Sequence, residues 1–216
     1  MDLRKCDGMQ MPHTLYFTAG SGNSFKPALV LRQTGQTCNM QAIDVLKGES
    51  RRAEYMQINF KGQVPYLMTE DGRGIGESNA IAWFLAHGTP LMPDDPVICA
   101  QALQWMIFEQ TSLEPNISPA RFFTYVVPEL REQHEEDIPR WIEAGQRALQ
   151  QLDDHLCSRK FMTDFGYCVA DIAVYGYTHL AGQGGFDLNR YKGVTRWMQR
   201  VQETHAYANI ESLLVA

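Results

Sequence analysis

The chain has 216 residues, and its 44% hydrophobic and 20% charged residues are close to globular averages, which excludes the disordered and fibrous classes. Its length fits one large or two small domains. Nineteen Lys and Arg against 25 Asp and Glu give a net charge of −6, so the chain lacks the excess of cations that nucleic acid or an anionic membrane surface requires. We therefore expect no nucleic-acid partner and no membrane partner.

The five cysteines are odd in number, widely spaced and without a CxxC pair. This pattern excludes a zinc ribbon and a dithiol redox motif, and free thiols in a reducing cytoplasm fit it best. Residues 1–13 are polar, unlike a secretory signal, and no apolar run approaches the ~18 residues of a membrane-spanning helix. The charged run 134–137 lacks the HExxH spacing of metal ligands. We expect a cytoplasmic protein with an N-terminal extension over 1–13 and no metal.

Strand and helix signals alternate in the region that we predict to be the first domain, residues 14–88. Strands are predicted at 15–17, 40–45, 64–68 and 74–76. Helices are predicted from Ser24 to a stop at Gly35, from a cap at Ser50 through Ile58, and from Glu77-Ser78 onward. A strand–helix–strand start favours a parallel pair, and the later hairpin adds an antiparallel edge.

A Pro-rich break at 89–96 predicts a linker to a second domain, residues 97–216, where strand signals disappear. Helices are predicted at 97–112, 120–127, 138–157, 170–181 and 194–204. Pro128 and Pro139 are expected to bound or kink helices. The charge also changes at this break, from a net +1 in residues 1–90 to −7 in residues 91–216. The predicted fold class is therefore an α/β domain followed by an all-α domain.

The turn Ser21-Gly22-Asn23-Ser24 lies where the first strand meets the first helix. Its hydroxyl groups sit beside the free N–H groups of a helix N-terminus, where an anion is favoured. The simpler interpretation is that Ser24 or Asn23 caps the helix, since these residue types are preferred caps. The sequence leaves both interpretations open.

Three further motifs carry backbone or side-chain groups that can form hydrogen bonds with a ligand or with the protein itself. A cis bond before Pro65 would turn the N–H and C=O groups of Val64 outward, where an extended peptide can pair with them, although trans is the more common form. At a helix start, Ser78 and its neighbouring N–H groups can bind a carboxylate and Glu77 an ammonium group, with capping as the alternative. We expect Asp171 to be structural, accepting backbone N–H bonds.

Together these motifs resemble the glutathione transferase superfamily, in its bacterial, serine-type form, over nearly the whole chain after Thr14. Four motifs occur in the family's order: Leu15-Tyr16 with Ser21-Gly22-Asn23-Ser24-Phe25-Lys26, Gln63-Val64-Pro65-Tyr66-Leu67, Glu77-Ser78-Asn79-Ala80-Ile81, and Gly166 followed by Ala170-Asp171-Ile172-Ala173. The resemblance implies a thioredoxin-like N-terminal domain, an all-helical C-terminal domain and usually a homodimer.

The resemblance also implies glutathione, an acidic tripeptide, as co-substrate. On that basis Val64, before a cis Pro65, pairs with the cysteinyl backbone of glutathione, and Glu77 with Ser78 holds the γ-glutamyl end. Some members place a His at the position of Ser50 to contact the glycine carboxylate, and here Gln63 is the candidate that replaces it.

In serine-type members the Ser that begins the turn donates a hydrogen bond to the glutathione sulfur, and Ser21 occupies that place. Because the thiolate is the nucleophile, a hydroxyl donor and a helix N-terminus help by lowering the thiol pKa. Ser24 is an alternative donor, since cysteine-type members often have their Cys there, and Tyr16 is another, near the position of the family's tyrosine donors. Asn23 is a candidate amide helper.

The electrophile pocket is expected to draw on Tyr16 and on residues of the helical domain. The candidates there are Trp105, Met106, Phe108, Arg121, Phe122, Phe123 and Tyr125. Aromatic residues at helical spacing are more often core, and Arg121 could bind an acidic co-substrate, although a solvated arginine is the simpler expectation. We predict attack of the glutathione thiolate on a small apolar electrophile. The alternatives are another glutathione-dependent enzyme (peroxidase, isomerase or dehalogenase) and a non-catalytic interaction module.

Overall fold

The computed structural model of the protein describes residues 12–215. The predicted extension over 1–13 therefore lies almost entirely outside the described residues, and the first strand begins at His13. None of the helices in the described range combines the length and the apolar character that a bilayer-spanning helix needs.

Four strands form one sheet in the order β2-β1-β3-β4. They are β1 (His13–Phe17), β2 (Cys38–Ala42), β3 (Tyr66–Met68) and β4 (Gly74–Ile75). β1 runs parallel to β2, with Leu15 opposite Met40, and antiparallel to β3, with Leu15 opposite Leu67. β4 adds an antiparallel edge to β3. The predicted parallel pair and antiparallel hairpin are thus confirmed.

The α-helices of the described residues follow in chain order. They are α1 (Gly22–Thr34), α2 (Ala53–Ile58), α3 (Ser78–Ala86), α4 (Pro96–Phe108), α5 (Glu114–Arg121), α6 (Asp137–Ser158), α7 (Val169–Thr178), α8 (Lys192–Gln202) and α9 (Ile210–Leu213). The interval 87–95, between α3 and α4, contains neither helix nor strand, and the predicted linker falls there. The domain boundaries themselves stay a prediction.

The second strand and the cap after it differ from the prediction. The strand ends at Ala42 because the chain turns at Asp44, whose Oδ1 accepts the N–H groups of Leu46 and Lys47, both at 3.1 Å. Ser50 lies in a short 3₁₀ turn before α2, which begins without a side-chain cap. The predicted cap at Ser50 was therefore wrong.

The predicted break in the helix between 112 and 120 was also wrong. A π-helical turn over Glu109–Leu113 joins α4 to α5, and a second over Phe122–Val126 follows α5 directly. Residues 96–126 thus form one continuous helical rod. Pro115 and Pro119 lie between these two turns and lack the N–H group that a regular helix uses. The wider turns on either side let one helical rod pass through both prolines.

α1 connects the two halves of the chain because it packs closely against α7. A Cβ atom on Gly22 would lie 2.5 Å from the Gly176 carbonyl oxygen, and one on Gly176 would lie 2.7 Å from Cε of Lys26. Only glycine allows this approach, which encloses the Lys26 side chain between the helices. The residues that position the candidate site therefore come from both halves.

Asp171 organises the start of α7. Its Oδ1 accepts from the Met162 N–H at 3.1 Å and from Trp197 Nε1 at 2.8 Å, and its Oδ2 accepts from the Cys168 N–H at 3.0 Å. Burial raises the pKa of Asp171 to about 6. The expected structural role of Asp171 is confirmed.

Candidate functional site

An open cleft of about 1270 Å³ lies between the sheet domain and the helical rod. Its walls come from both halves of the chain. The first half contributes 18–21, 23, 42–47, 49–51, 62–65 and 77–78, and the second half contributes 110, 114, 118, 121–122, 125–126 and 177. A ligand in this cleft would contact loops at one end of the sheet and the face of α5.

Ser21 lies in this cleft at the N-terminus of α1. Its Oγ accepts the Ser24 N–H at 3.2 Å, which makes Ser21, rather than Ser24 or Asn23, the helix cap. No described group accepts the Ser21 hydroxyl proton. The hydroxyl can therefore cap the helix and still donate a hydrogen bond into the cleft.

The two alternatives to Ser21 lie outside the cleft lining. Ser24 is fully buried, and its Oγ accepts the Thr18 N–H at 3.1 Å. Tyr16 packs edge-on against Tyr55, with ring centres 5.6 Å apart. Since side chains alternate across a strand, Tyr16 lies on the opposite sheet face from the buried Leu15.

The peptide bond between Val64 and Pro65 is cis, the less common of the two forms considered from the sequence. The carbonyl of Gln63, just before it, accepts from the Tyr55 hydroxyl at 2.7 Å and from Asn59 Nδ2 at 2.8 Å. Val64 lines the cleft, and no described group pairs with its backbone N–H or C=O. These two backbone groups are open to an extended ligand.

Glu77 and Ser78 line the same wall, and neither caps α3 through its side chain. Glu77 has φ +65°, a left-handed conformation that is uncommon for a residue other than glycine. Its carboxylate lies 3.2 Å from Lys61 Nζ at the surface. The buried Ser78 donates to Asn23 Oδ1 at 3.0 Å. The capping alternative was therefore wrong for both residues.

A buried ion pair lies directly behind this wall. Nζ of Lys26 lies 2.7 Å from both carboxylate oxygens of Glu109, and both side chains are 0% exposed. Nζ also donates to Asn23 Oδ1 at 3.1 Å and Ser78 Oγ at 3.3 Å, and Asn79 Nδ2 donates to Glu109 Oε2 at 2.9 Å. The pair links α1 and α3 to the π-helical turn after α4.

Sequence reasoning missed this pair, because its members are 83 residues apart. One local signal was present: each charge interrupts an apolar helical stretch, Lys26 among Phe25, Ala28 and Leu29, and Glu109 directly after Phe108. A charge on an apolar face is expensive unless it is paired. Two such interruptions indicate mutual partners without showing which residues meet.

Asn23 joins the Ser21 turn to this network, and both ends of its side chain are engaged. Its Oδ1 accepts from Lys26 and Ser78, and its Nδ2 lies 3.4 Å from Glu114 Oε1. Burial and the nearby Glu109 raise the pKa of Glu114, which lines the cleft. Asn23 therefore holds the turn in place beside Ser21.

The helical wall contains Arg121, Phe122 and Tyr125, three of the candidates for an electrophile pocket. Arg121 is buried, at 8% exposure, so the expectation of a solvated arginine was wrong. α5 directs it inward, where its Nε donates to Gln183 Oε1 at 2.6 Å and its guanidinium lies 5.7 Å from the Tyr125 ring centre. Ser118, Val126 and Tyr177 also line this wall and were not anticipated.

The other aromatic candidates lie away from the cleft lining. Phe108 packs edge-on against Trp105, with ring centres 5.3 Å apart, and Phe123 stacks on His134 at 3.7 Å. Met106 belongs to the core. Among residues 12–215 no group of three or more His, Cys, Asp and Glu side chains is arranged to hold a metal ion.

Comparison with known proteins gives this geometry a family context. The family described as "Glutathione S-transferase, N-terminal domain" matches residues 11–87. The crystal structure of a possible glutathione S-transferase from Rhodopseudomonas palustris is 41% identical, with a TM-score of 0.90 over 93% of this chain and 98% of that one. A glutathione S-transferase from Pseudomonas fluorescens is 38% identical, with a TM-score of 0.88 over 93% of this chain and 99% of that one.

A curated relative of another description also matches. Elongation factor 1-gamma from Artemia salina is 31% identical over 163 residues, which are 74% of this chain and 36% of that protein. The similarity to the two bacterial structures, in contrast, extends over almost their full length, and it includes both the sheet domain and the helical domain. The chain therefore belongs to the glutathione S-transferase family.

Proposed function

We propose that this protein is a glutathione transferase in which Ser21 activates the glutathione thiol for attack on an electrophile bound between the two domains. The observation that carries the proposal is the Ser21 hydroxyl, which lines the cleft at a helix N-terminus with no described acceptor for its proton. Val64, with its two open backbone groups, lines the same wall. The proposal places the sulfur and the peptide backbone of one ligand within one cleft.

The binding part of the proposal uses groups of complementary chemistry. The N–H and C=O of Val64, before the cis Pro65, would pair with the cysteinyl backbone, as in addition of a strand to a sheet edge. The N–H groups at the start of α3, that of Ser78 included, would bind the γ-glutamyl carboxylate, and Glu77 its ammonium group. The exposed Gln63 side chain would bind the glycine carboxylate.

The chemical part concerns a single proton. A free thiol has a pKa of about 8.5, so only a minor fraction is thiolate at neutral pH. A hydroxyl donor and the partial positive charge of a helix N-terminus favour the anion, and one charge-assisted hydrogen bond lowers the pKa by about one unit. The thiol proton leaves to solvent. The thiolate then forms a C–S bond with the electrophile, and the bond to the leaving group breaks.

Replacement of Ser21 tests this proposal. In Ser21→Ala the pKa of bound glutathione, followed by thiolate absorbance against pH, is expected to rise by about one unit, and Ser21→Thr is expected to restore it. Ser24→Ala is the matched control, since Ser24 faces away from the cleft. The lost cap costs about 1 kcal/mol, so circular dichroism should show a folded variant. An identical titration in Ser21→Ala and wild type would exclude Ser21 as the donor.

The remaining assignments are proposals of the same kind. Free cysteines favour a cytoplasmic protein. A homodimer is supported by the apolar surface of α4, where Val97, Leu103 and Ile107 are exposed and the last two lie one helical turn apart.

Two alternatives share this fold. Activity profiling with peroxides, isomerisable substrates and haloalkanes would identify another glutathione-dependent enzyme. The match to elongation factor 1-gamma keeps an interaction module as the non-catalytic alternative. Calorimetry separates the two classes: absence of glutathione binding at millimolar concentration would favour the interaction module.

A further inference from the structure

Arg121 places a buried positive charge in the half of the cleft that the proposed glutathione site does not use. It is the last residue of α5, it lines the cleft and it is 8% exposed. No carboxylate among residues 12–215 lies within 4.0 Å of its guanidinium. In the described part of the chain this cation therefore has no acidic partner at ion-pair distance, and Glu211 acts on it only from further away.

The guanidinium also has unused hydrogen-bonding capacity. Its Nε donates to Gln183 Oε1 at 2.6 Å, whereas neither Nη group donates to a described acceptor. Arginine stays protonated at physiological pH, and a buried charge is costly unless a partner compensates it. The two free Nη groups form a planar fork that matches a carboxylate. An anion that arrives with a ligand could therefore pair with this fork.

The surroundings of Arg121 show what carries that anion. Phe122, Tyr125 and Val126 give an apolar surface beside the guanidinium, with the Tyr125 ring centre at 5.7 Å. Tyr177 lines the same wall, and burial raises its pKa to about 12, so its hydroxyl stays protonated at neutral pH. This wall suits an apolar or aromatic body that ends in a carboxylate.

We propose that Arg121 binds the carboxylate of the second substrate, so that the electrophile is an apolar or aromatic organic acid rather than a neutral molecule. This inference rests on the proposed function, in which Val64, Glu77, Ser78 and Gln63 take up glutathione on the opposite wall. A glutathione carboxylate is the other source of the same chemistry, and the experiment below distinguishes the two.

The test uses two electrophiles that differ only in charge: a chlorodinitrobenzoate and the chlorodinitrobenzamide with the same ring positions. In both, the glutathione sulfur bonds to the ring carbon, the carbon–chlorine bond breaks, and chloride and the thiol proton leave. For Arg121→Gln, kcat/KM for the benzoate is expected to fall about tenfold to a hundredfold, the loss of a hydrogen-bonded charge pair. For the benzamide, kcat/KM and the KM for glutathione are expected to change less than about threefold.

Arg131→Gln is the charge-matched control, since Arg131 is exposed and outside the cleft lining. Arg121→Lys keeps the charge without the fork, and its kcat/KM for the benzoate is expected to fall between those of wild type and Arg121→Gln. Equal losses for both electrophiles would show that Arg121 is only structural. A rise in the KM for glutathione alone would assign Arg121 to glutathione, and either result overturns the proposal.

A binding measurement keeps the inference testable apart from turnover. Calorimetry with unreactive dinitrobenzoate and dinitrobenzamide is expected to show that wild type prefers the acid about tenfold or more, and that Arg121→Gln loses this preference. If wild type binds both equally, the inference fails. If the acid binds with this preference but glutathione does not bind, the proposed transferase function fails and the assignment of Arg121 stands.

Discussion

Removal of either charge from the pair Lys26–Glu109 is expected to destabilise the protein strongly. The ammonium nitrogen lies 2.7 Å from both carboxylate oxygens, and both side chains are 0% exposed. Breaking such a pair leaves one charge buried without its partner, at a cost of about 3–5 kcal/mol. For a chain of this size each kcal/mol lowers Tm by about 2–4 °C. Glu109→Gln should therefore lower Tm by about 6–20 °C.

A double-mutant cycle measures this effect. Urea unfolding of Lys26→Met, Glu109→Gln and the double variant gives the coupling energy, and the double variant should be less destabilised than the sum of the two single variants, because no charge remains unpaired. Glu143→Gln is the control, because it breaks a surface pair in which Glu143 is 74% and Arg147 63% exposed. It should lower the free energy of unfolding by less than about 1 kcal/mol. A loss below about 1 kcal/mol in Glu109→Gln, or strict additivity, would refute the reasoning.

Two further predictions concern packing and pH. Gly22→Ala should destabilise the protein by about 1–3 kcal/mol in urea unfolding, because its Cβ would lie 2.5 Å from the Gly176 carbonyl oxygen. Gly182→Ala is the control: its Cβ would meet nothing within 4 Å, so the urea midpoint should change little. Burial lowers the pKa of His179 to about 4, so between about pH 6.5 and 4 the unfolded state binds a proton at His179 that the folded state does not. This group by itself therefore contributes a loss of up to about 3 kcal/mol of stability on acidification. Asp171, with its pKa raised to about 6, acts in the opposite direction over this range, so the test is the difference between the two proteins: the pH profile of His179→Phe should lack the loss that His179 contributes, and parallel profiles would contradict the assignment.

The sequence predicted the features that depend on local pattern. The alternation of strands and helices up to residue 86 and the glycine stop of α1 follow from residues close together in the chain. Of the candidate site residues, Ser21, Val64, Glu77 and Ser78 all line one cleft, because each sits in a turn or at a helix start at the same end of the sheet. The motifs therefore predicted a shared site correctly, because the turns that carry them lie next to one another in the structure.

Features that depend on long-range contacts were not predictable. The partner of Lys26 lies 83 residues away, and no local pattern could identify it. From the sequence, Ser24 and Tyr16 stayed open as alternative hydroxyl donors to Ser21, and only their positions outside the cleft lining separate them from it. For Arg121, burial depends on how α5 packs against Gln183, a contact across 62 residues.

The π-helical turn at Glu109–Leu113 sets the rotational phase of the helix that follows it. Each residue of an α-helix advances by about 100° around the axis. If the same residues followed regular α-helical geometry, Arg121 would therefore point in a different direction relative to Glu109, which would keep its place beside Lys26. The single wide turn thus lets one continuous rod present an ion-pair partner to the buried interior and, twelve residues on, a cation to the cleft.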